Sequence, residues 1–187
     1  MRVELKTSRL SLRRWNDDDL SLFAELNADP LVMEHFPKRL DRAESDAAAA
    51  RIRVHFDERG YGLWAVSVVG GAPFIGFVGL NVPTFQAAFT PCIEIGWRLS
   101  RDHWGHGYAT EAARAALDFG FDELNLDEIV SFTVPANVRS RAVMERIGMR
   151  HSPEDDFEHP VLPVGHPLRP HVFYRLRRED LRSSGTE

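Results

Sequence analysis

Three groups of residues in this chain have types and spacings that can do chemistry. The first is a glycine-bearing turn, Trp104-Gly105-His106-Gly107-Tyr108-Ala109-Thr110, at the start of a helical pattern. Backbone N–H groups at a helix start have no intrahelical partner and point one way, and the helix dipole adds positive partial charge there. Such a turn is a site for a phosphate or pyrophosphate. Glycine permits close approach of the anion and a positive φ. The second is Glu94, a carboxylate on the strand-like stretch that leads into this turn. The third is Asn137-x-x-Ser140, at the entrance to a later helix. Ser140 there also reads as a helix N-cap, and Asn137 as a turn residue satisfying its own backbone.

Which phosphate ligand suits the turn follows from what the motif lacks. A P-loop needs a lysine directly after its last glycine, and Tyr108 follows Gly107. A dinucleotide fingerprint needs Gly or Ala at its third position. Here that position is Thr110, and the turn lies past the middle of the chain. The remaining candidate is the pyrophosphate loop of coenzyme A-dependent acyltransferases. Glu94-Ile-Gly-Trp-Arg-Leu, followed by Trp104-Gly-His-Gly-Tyr-Ala-Thr-Glu-Ala, closely resembles the GNAT superfamily of N-acetyltransferases. The likeness is greatest to its Rim-type branch, the ribosomal-protein N-terminal acetyltransferases and their small-molecule-modifying relatives. It covers nearly the whole chain. Leu5 to Trp15 is similar to the first strand of that branch, Phe74 to Leu80 to its third strand, and Pro135 to Gly148 to its later cofactor-side segment. One departure is Asp102, where the superfamily often carries Gln or Arg. Arg98 and Arg101 are available to offset its charge.

The resemblance implies a GNAT-type α/β (α+β) fold, a central mixed, mostly antiparallel sheet flanked by helices, as a single domain over 1–187. It implies acetyl-CoA as cosubstrate and no metal. The backbones of His103, Trp104, Gly105, His106, Gly107, Tyr108, Ala109 and Thr110 are then the pyrophosphate contacts. Trp97, Arg98 and Leu99 pair through backbone groups with pantetheine, like an added strand. Asn137 contacts the pantetheine arm, and Ser140 lies near the sulfur as a proton donor. The reaction is acyl transfer from a thioester to a primary amine, in a small molecule or at a protein N-terminus. The amine must be neutral to attack, and its pKa is near ~8 for an α-amino group or ~10.4 for lysine. A base must therefore take its proton, and the developing oxyanion needs a fixed donor. Glu94 is the candidate base; an edge glutamate paired with an arginine is the alternative. Strand alternation sends Glu94 and Gly96 to the face opposite Ile93, Ile95 and Trp97, with open space beside the carboxylate. Glu111 reads as a cap for first-turn amides or a partner of the helix dipole. Lone Cys92 gives no reason for a covalent acyl-enzyme. The rival from another class is a CoA-binding sensor or regulatory module without catalysis.

Composition bounds these readings. A chain of 187 residues, 43% hydrophobic and 27% charged, fits one domain with an apolar core. Its net charge of -5 argues against general nucleic-acid binding. One cysteine allows no intramolecular disulfide and no cysteine metal site, and suits a reducing compartment. No apolar run reaches the ~18 residues of a membrane span. Met1-Arg2-Val3-Glu4 lacks the apolar core of a signal peptide, so a cytoplasmic location is expected. Rim-type relatives often form dimers, so the resemblance leaves both a homodimer and a monomer open. His151, His159, His166 and His171 match no zinc spacing and read as solvated or packing residues. The excursion Asp155–Pro170 reads as a loop near the acceptor, where Asp155, Asp156 and Glu158 attract a cationic amine or keep the loop soluble. Arg13, Arg14 and Trp15 are substrate contacts or strand-end residues.

The elements that must position these groups are legible in outline. Leu10–Arg14 alternates as a strand. Asp17, Asp18 and Asp19 open a first helix, and Asp41 to Arg59 forms a second, stopped by Gly60. Leu63–Val69 and Phe74–Leu80 flank Gly70-Gly71 as a hairpin, and Pro91–Leu99 is a further strand. Gly107–Phe121 has Ala109, Ala112, Ala113, Ala116 and Leu117 on one helical face. Glu128–Val134 is a strand, Ser140–Ile147 a helix closed by Gly148, and His171–Leu176 the last strand.

Overall fold

The computed structural model describes residues 4–183. The opening Met1-Arg2-Val3 stretch, part of the signal-peptide reading, lies outside the described residues. The chain divides into two compact units. One runs through Leu80 and takes up Gly96–Ala116; the other holds Asn81–Ile95 and everything from Leu117 onward.

The first unit is built on an antiparallel sheet. Strand β1 (Leu5–Lys6) pairs with β2 (Leu10–Arg13), β2 with β3 (Leu63–Val68), and β3 with β4 (Gly76–Asn81). Registers Leu12↔Val66 and Trp64↔Val78 put fully buried side chains opposite one another. Gly70 turns the β3–β4 hairpin at φ +70°, where the Val68 N–H donates to Ala72 O at 2.9 Å. Helix α1 (Asp19–Ala28) starts within the predicted carboxylate run, and its N-cap, Asp18, makes no side-chain cap bond. Asp19 is instead buried and gripped by Arg13, whose two Nη atoms donate at 2.8 and 2.7 Å. Helix α2 (Arg42–Arg59) begins with a reciprocal Asp41–Glu44 capping box and ends at Gly60 in the left-handed region. Arg13, Arg14 and Trp15 all serve this scaffold. Arg14 pairs with Asp57, and the buried Trp15 donates to Leu63 O at 2.7 Å.

The second half of β5 (Glu94–Leu99) completes this unit's sheet, with the Ser100 N–H donating to Ile75 O at 2.8 Å. Helix α3 (Tyr108–Asp118) follows, and Ala112, Ala113 and Ala116 on it are fully buried. The small side chains allow close helix–sheet packing. The expected run to Phe121 is broken after Asp118 by a wider turn over Phe119–Glu123, where the Leu124 N–H reaches back to Phe119 O.

In the second unit the first half of β5 lies parallel to β6 (Glu128–Thr133), in register Glu94↔Val130. Strand β9 (Pro170–Arg177) pairs antiparallel with β6 over six residue pairs, and also with β7 (Arg150–His151) and β8 (Phe157–Glu158). Helix α4 (Val138–Arg146) packs the buried Val143 and Met144, and α5 (Arg178–Ser183) closes the described chain. The predicted 152–170 excursion is partly ordered by β8 and by a short 3-10 turn at Pro153–Asp155.

Gly76 has a structural reason to be glycine. Its φ is +132°, and a Cβ there would lie 2.1 Å from Arg98 O. Gly76→Ala is expected to cost about 3 kcal/mol or more from strain and overpacking. Gly70, also at positive φ, has nothing within 4 Å of a built Cβ, so Gly70→Ala costs about 1 kcal/mol. Thermal unfolding of both variants checks this; equal shifts would mean the contact with Arg98 O adds nothing.

Candidate active site

In the first unit the chain leaves β5 through a 3-10 turn at Arg101–His103 and enters α3 at Tyr108. Gly105 and Gly107 both take left-handed φ values, +78° and +79°. The exposed segment Gly105–Gly107 is thereby wrapped onto the helix N-terminus, and Gly107 O accepts the first helical bond from the Glu111 N–H at 3.0 Å. The N–H groups of Tyr108, Ala109 and Thr110 then lie in the turn that no intrahelical carbonyl reaches. This is the geometry an anion needs. His103 Nδ1 and Ser100 Oγ are 2.7 Å apart, and Trp104 Nε1 donates to Leu99 O at 2.8 Å, so both rings brace the turn from within.

Arg9 clamps the turn from outside. Its Nη1 donates to His106 O at 3.0 Å, its guanidinium stands 4.9 Å over the Tyr108 ring, and it binds Glu111 at 2.6–2.7 Å. Glu111 also accepts from Thr7 Oγ1 at 2.5 Å and from the Arg9 N–H at 3.1 Å. Those bonds hold its carboxyl below the usual range against the opposing effect of burial. Glu111 therefore ties α3 to the β1–β2 turn, and among the described residues its carboxylate makes no bond to an amide of its own helix. Asp102 is exposed with Arg101 at 4.0 Å, whereas the Arg98 side chain turns elsewhere and does not offset its charge.

Arg98 runs into the packing of α1 and β4. Its Nη1 donates to Asn27 Oδ1 at 2.5 Å, and its guanidinium lies 4.0 Å from the Phe36 ring centroid and 5.5 Å from that of Phe77. Asn27 is buried and donates to Ser45 Oγ at 2.9 Å. Burial pulls the Arg98 pKa down to about 10, and its buried Nε has no partner. Among the described residues no carboxylate pairs with it.

The second unit holds Glu94, Asn137 and Ser140. Glu94 carries a hydrogen bond from the Asn81 side chain at the end of β4, and no arginine meets it among the described residues. Burial pushes its carboxyl up to about 8 against the lowering effect of Asn81. Next along the strand, a Cβ built on Gly96 meets nothing within 4 Å. Asn137, not Ser140, is the N-cap of α4: Asn137 Oδ1 accepts from the Ser140 N–H at 3.2 Å, and Asn137 Nδ2 donates to Thr133 Oγ1 at 3.0 Å. Ser140 stands three residues inside, half-buried, and its hydroxyl has no hydrogen-bond partner among the described residues. The cysteine beside this strand, Cys92, is pushed up to about 11 by burial and by the Glu94 and Glu128 carboxyls.

The excursion spends its charges on itself. Asp155 meets Arg175 at 2.8 Å, Asp156 meets His151 at 2.8 Å and the Phe173 N–H at 3.0 Å, and Glu158 meets Arg169 at 2.8 Å. His159 and His171 pack with their rings 4.9 Å apart in a cluster with Phe85, Phe132 and Phe157. No group of three or more His, Cys, Asp or Glu able to hold a metal ion occurs among the described residues.

The acetyltransferase (GNAT) domain profile matches residues 9–150. The chain belongs to the GNAT acetyltransferase family. Within it, the chain is 37% identical over 157 residues to the uncharacterized protein YkkB of Bacillus subtilis (strain 168), covering 81% of this chain and 87% of that protein. It is 33% identical over 158 residues to the FsC-acetyl coenzyme A-N(2)-transacetylase of Aspergillus fumigatus, covering 79% of this chain and 65% of that one. The crystal structure of an acetyltransferase from Agrobacterium tumefaciens superposes with a TM-score of 0.75 at 29% identity, covering 95% of this chain and 96% of that one. This GNAT acetyltransferase is an acetyl-CoA-dependent enzyme of N-acetyl transfer.

Sequence reasoning missed Arg9, Asn27 and Asn81. Each acts through a partner 13 to 102 residues away, and only a shared β-turn, helix end or strand end brings them there. A local pattern signals none of them.

The raised carboxyl of Glu94 has a consequence for stability. Between its unfolded pKa near ~4.3 and its folded value of about 8, the folded enzyme holds a proton that the unfolded chain has lost. Stability therefore falls as pH rises through that window and levels off above it. Glu94→Gln has no proton to lose. The variant should match the wild type near about pH 4 and unfold several degrees higher at about pH 8.5. Parallel melting curves across that range would show the carboxyl to be unperturbed.

Proposed function

We propose that this GNAT enzyme works by direct attack of a primary amine on the acetyl-CoA thioester, with Glu94 as the base, and that it belongs to the Rim-type branch. The observation that carries the reading is Glu94 itself: a half-buried carboxyl that desolvation raises to about 8, two residues along the strand from Gly96, where a built Cβ meets nothing within 4 Å. A base is most effective when its pKa lies near the working pH. The amine nitrogen forms its bond to the acetyl carbon as the carbon–sulfur bond breaks. The amine proton passes to Glu94, directly or through water. The departing thiolate takes a proton from Ser140, and the proton held on Glu94 returns to the Ser140 oxygen through solvent, so both groups end as they began. Cys92, with its thiol held protonated, is a poor nucleophile, which supports direct attack over an acyl-enzyme.

The cosubstrate is held, in this proposal, by the turn amides from His103 to Thr110, by the backbone of Trp97, Arg98 and Leu99, and by the remaining hydrogen-bonding capacity of Asn137. The fit of the turn rests on the two left-handed glycines and on the absence of anything within 4 Å of a Gly105 Cβ. Residues 1–187 then act as one acetyltransferase domain. A homodimer in the cytoplasm completes the proposal. The dimer rests on the Rim-type resemblance, and the location on the lone cysteine. Among the described residues, no helix is long and apolar enough to cross a membrane.

Two measurements test this. Acetyl-CoA and CoA, at about a hundred times their dissociation constants, should each stabilise the enzyme by roughly 2.7 kcal/mol, and NAD should not. No shift with either CoA form would remove the turn as the cosubstrate site. With a weakly basic acceptor, already neutral at pH 7, the wild-type rate should climb towards about pH 8 as Glu94 ionises. Glu94→Gln should lose that limb and fall by about 10²–10⁴-fold. Full rate in Glu94→Gln at every pH would give the base role to another group.

A further inference from the structure

Strand β5 carries a second half-buried ionisable group besides Glu94, and the acetyl-transfer scheme leaves its side chain without a task. Arg98 contributes only its backbone to that scheme. Its guanidinium is nevertheless enclosed, at the cost of desolvating a charge. Three other arginine and histidine side chains also hold buried nitrogens without partners: Arg53, His55 and Arg175. Arg53 has Asp17 at 2.9 Å, and Arg175 has Asp155 and Glu128 at 2.8 and 3.3 Å. Burial lowers the His55 pKa, which favours its neutral form. Arg98 alone of these is a charged group whose only side-chain bond is to a neutral amide.

The strand geometry says where that charge points. Arg98 and Gly96 lie two apart on β5 and so share a face, and a Cβ built on Gly96 meets nothing within 4 Å. The Phe36 and Phe77 rings lie against the guanidinium and Asn27 takes Nη1, while among the described residues neither nitrogen of its other edge, Nε or Nη2, has a hydrogen-bond partner. A carboxylate is the planar anion that such an edge binds through two parallel bonds. The acidic side chains that a polycationic acceptor would need, Asp155, Asp156 and Glu158, are consumed by Arg175, His151 and Arg169.

We infer that Arg98 is a specificity-determining residue that binds a carboxylate on the acceptor, so that the acceptor is an amine carrying a carboxylate, of the amino-acid class. The inference rests on the acetyl-transfer reading with Glu94 as base. Asn27, fixed by Ser45, holds one edge of the guanidinium in place, and Phe36, itself exposed, covers it from solvent.

The test compares kcat/KM for matched acceptors with acetyl-CoA and the full chain. Amino acids and ω-amino acids of increasing length are set against their primary amides. The wild type should prefer the acid of the best pair by on the order of tenfold or more, through KM. Arg98→Met should bring that ratio close to one. Arg98→Lys should keep part of it, because lysine retains the charge and loses the two-pronged edge. A wild-type ratio near one, or a ratio that survives Arg98→Met, overturns the inference. If Arg98→Met does not fold, Arg98→Lys decides: a ratio reduced through KM supports the inference and an unchanged ratio overturns it. A wild type that acetylates amides and acids alike removes Arg98 from acceptor choice while leaving Glu94 as base. A wild type that acetylates no amine at all overturns the underlying reading, and the inference with it.

Discussion

An ionisable group taken out of water must be neutralised, paired or hydrogen-bonded, and β5 takes out two within five residues. The two positions meet the requirement differently. Glu94 keeps its proton to unusually high pH and takes a hydrogen bond from Asn81. Arg98 keeps most of its charge and is met by two aromatic faces and one amide oxygen. Much of the first unit is arranged round the second solution. Asn27 lies in the last turn of α1, and its amide is oriented by Ser45 on α2, which leaves the oxygen for Arg98. Phe77 is packed by Trp15 and Phe23, the latter edge-on at 6.0 Å. The crossing of the two helices is thus tied to a single polar chain that ends on the strand.

The turn after β5 shows a complementary economy. Its first amides have no intrahelical partner, while its side chains are nearly all employed in holding it still. His103 and Trp104 brace it from β5, Arg9 reaches across from the β1–β2 turn, and Glu111 anchors Arg9. A cradle made of amides can be shaped only by fixing φ and ψ. Two left-handed glycines and four braced side chains do that here.

The order of the longer elements, the Gly70-Gly71 hairpin, the Gly60 stop and the small-residue face of α3 were legible in the sequence, because each is written in neighbouring residues; the short β7, β8 and α5 were not. The glycine turn that opens α3 and the strand bearing Glu94 were legible for the same reason. What was not legible depends on contacts far apart in the chain. Glu111 looks like a first-turn carboxylate on a helix, yet its partners are Thr7 and Arg9. Ser140 has the residue type of a cap, but the side chain of Asn137 has the reach to close on the third amide of α4. The acidic excursion reads as a lure for cations until its arginine and histidine partners are seen beside it. Strand onset also shifted: β5 begins at Glu94 rather than Pro91, since the ladder to β6 is in register there.

Cys92 bears on how this enzyme can be watched. A disulfide reagent reacts with thiolate, and a thiol held near 11 presents almost none at neutral pH. The protein is therefore nearly silent towards such a reagent, whereas free coenzyme A is not. Colour that develops during turnover counts departing thiols one by one, and the catalyst contributes almost no background of its own.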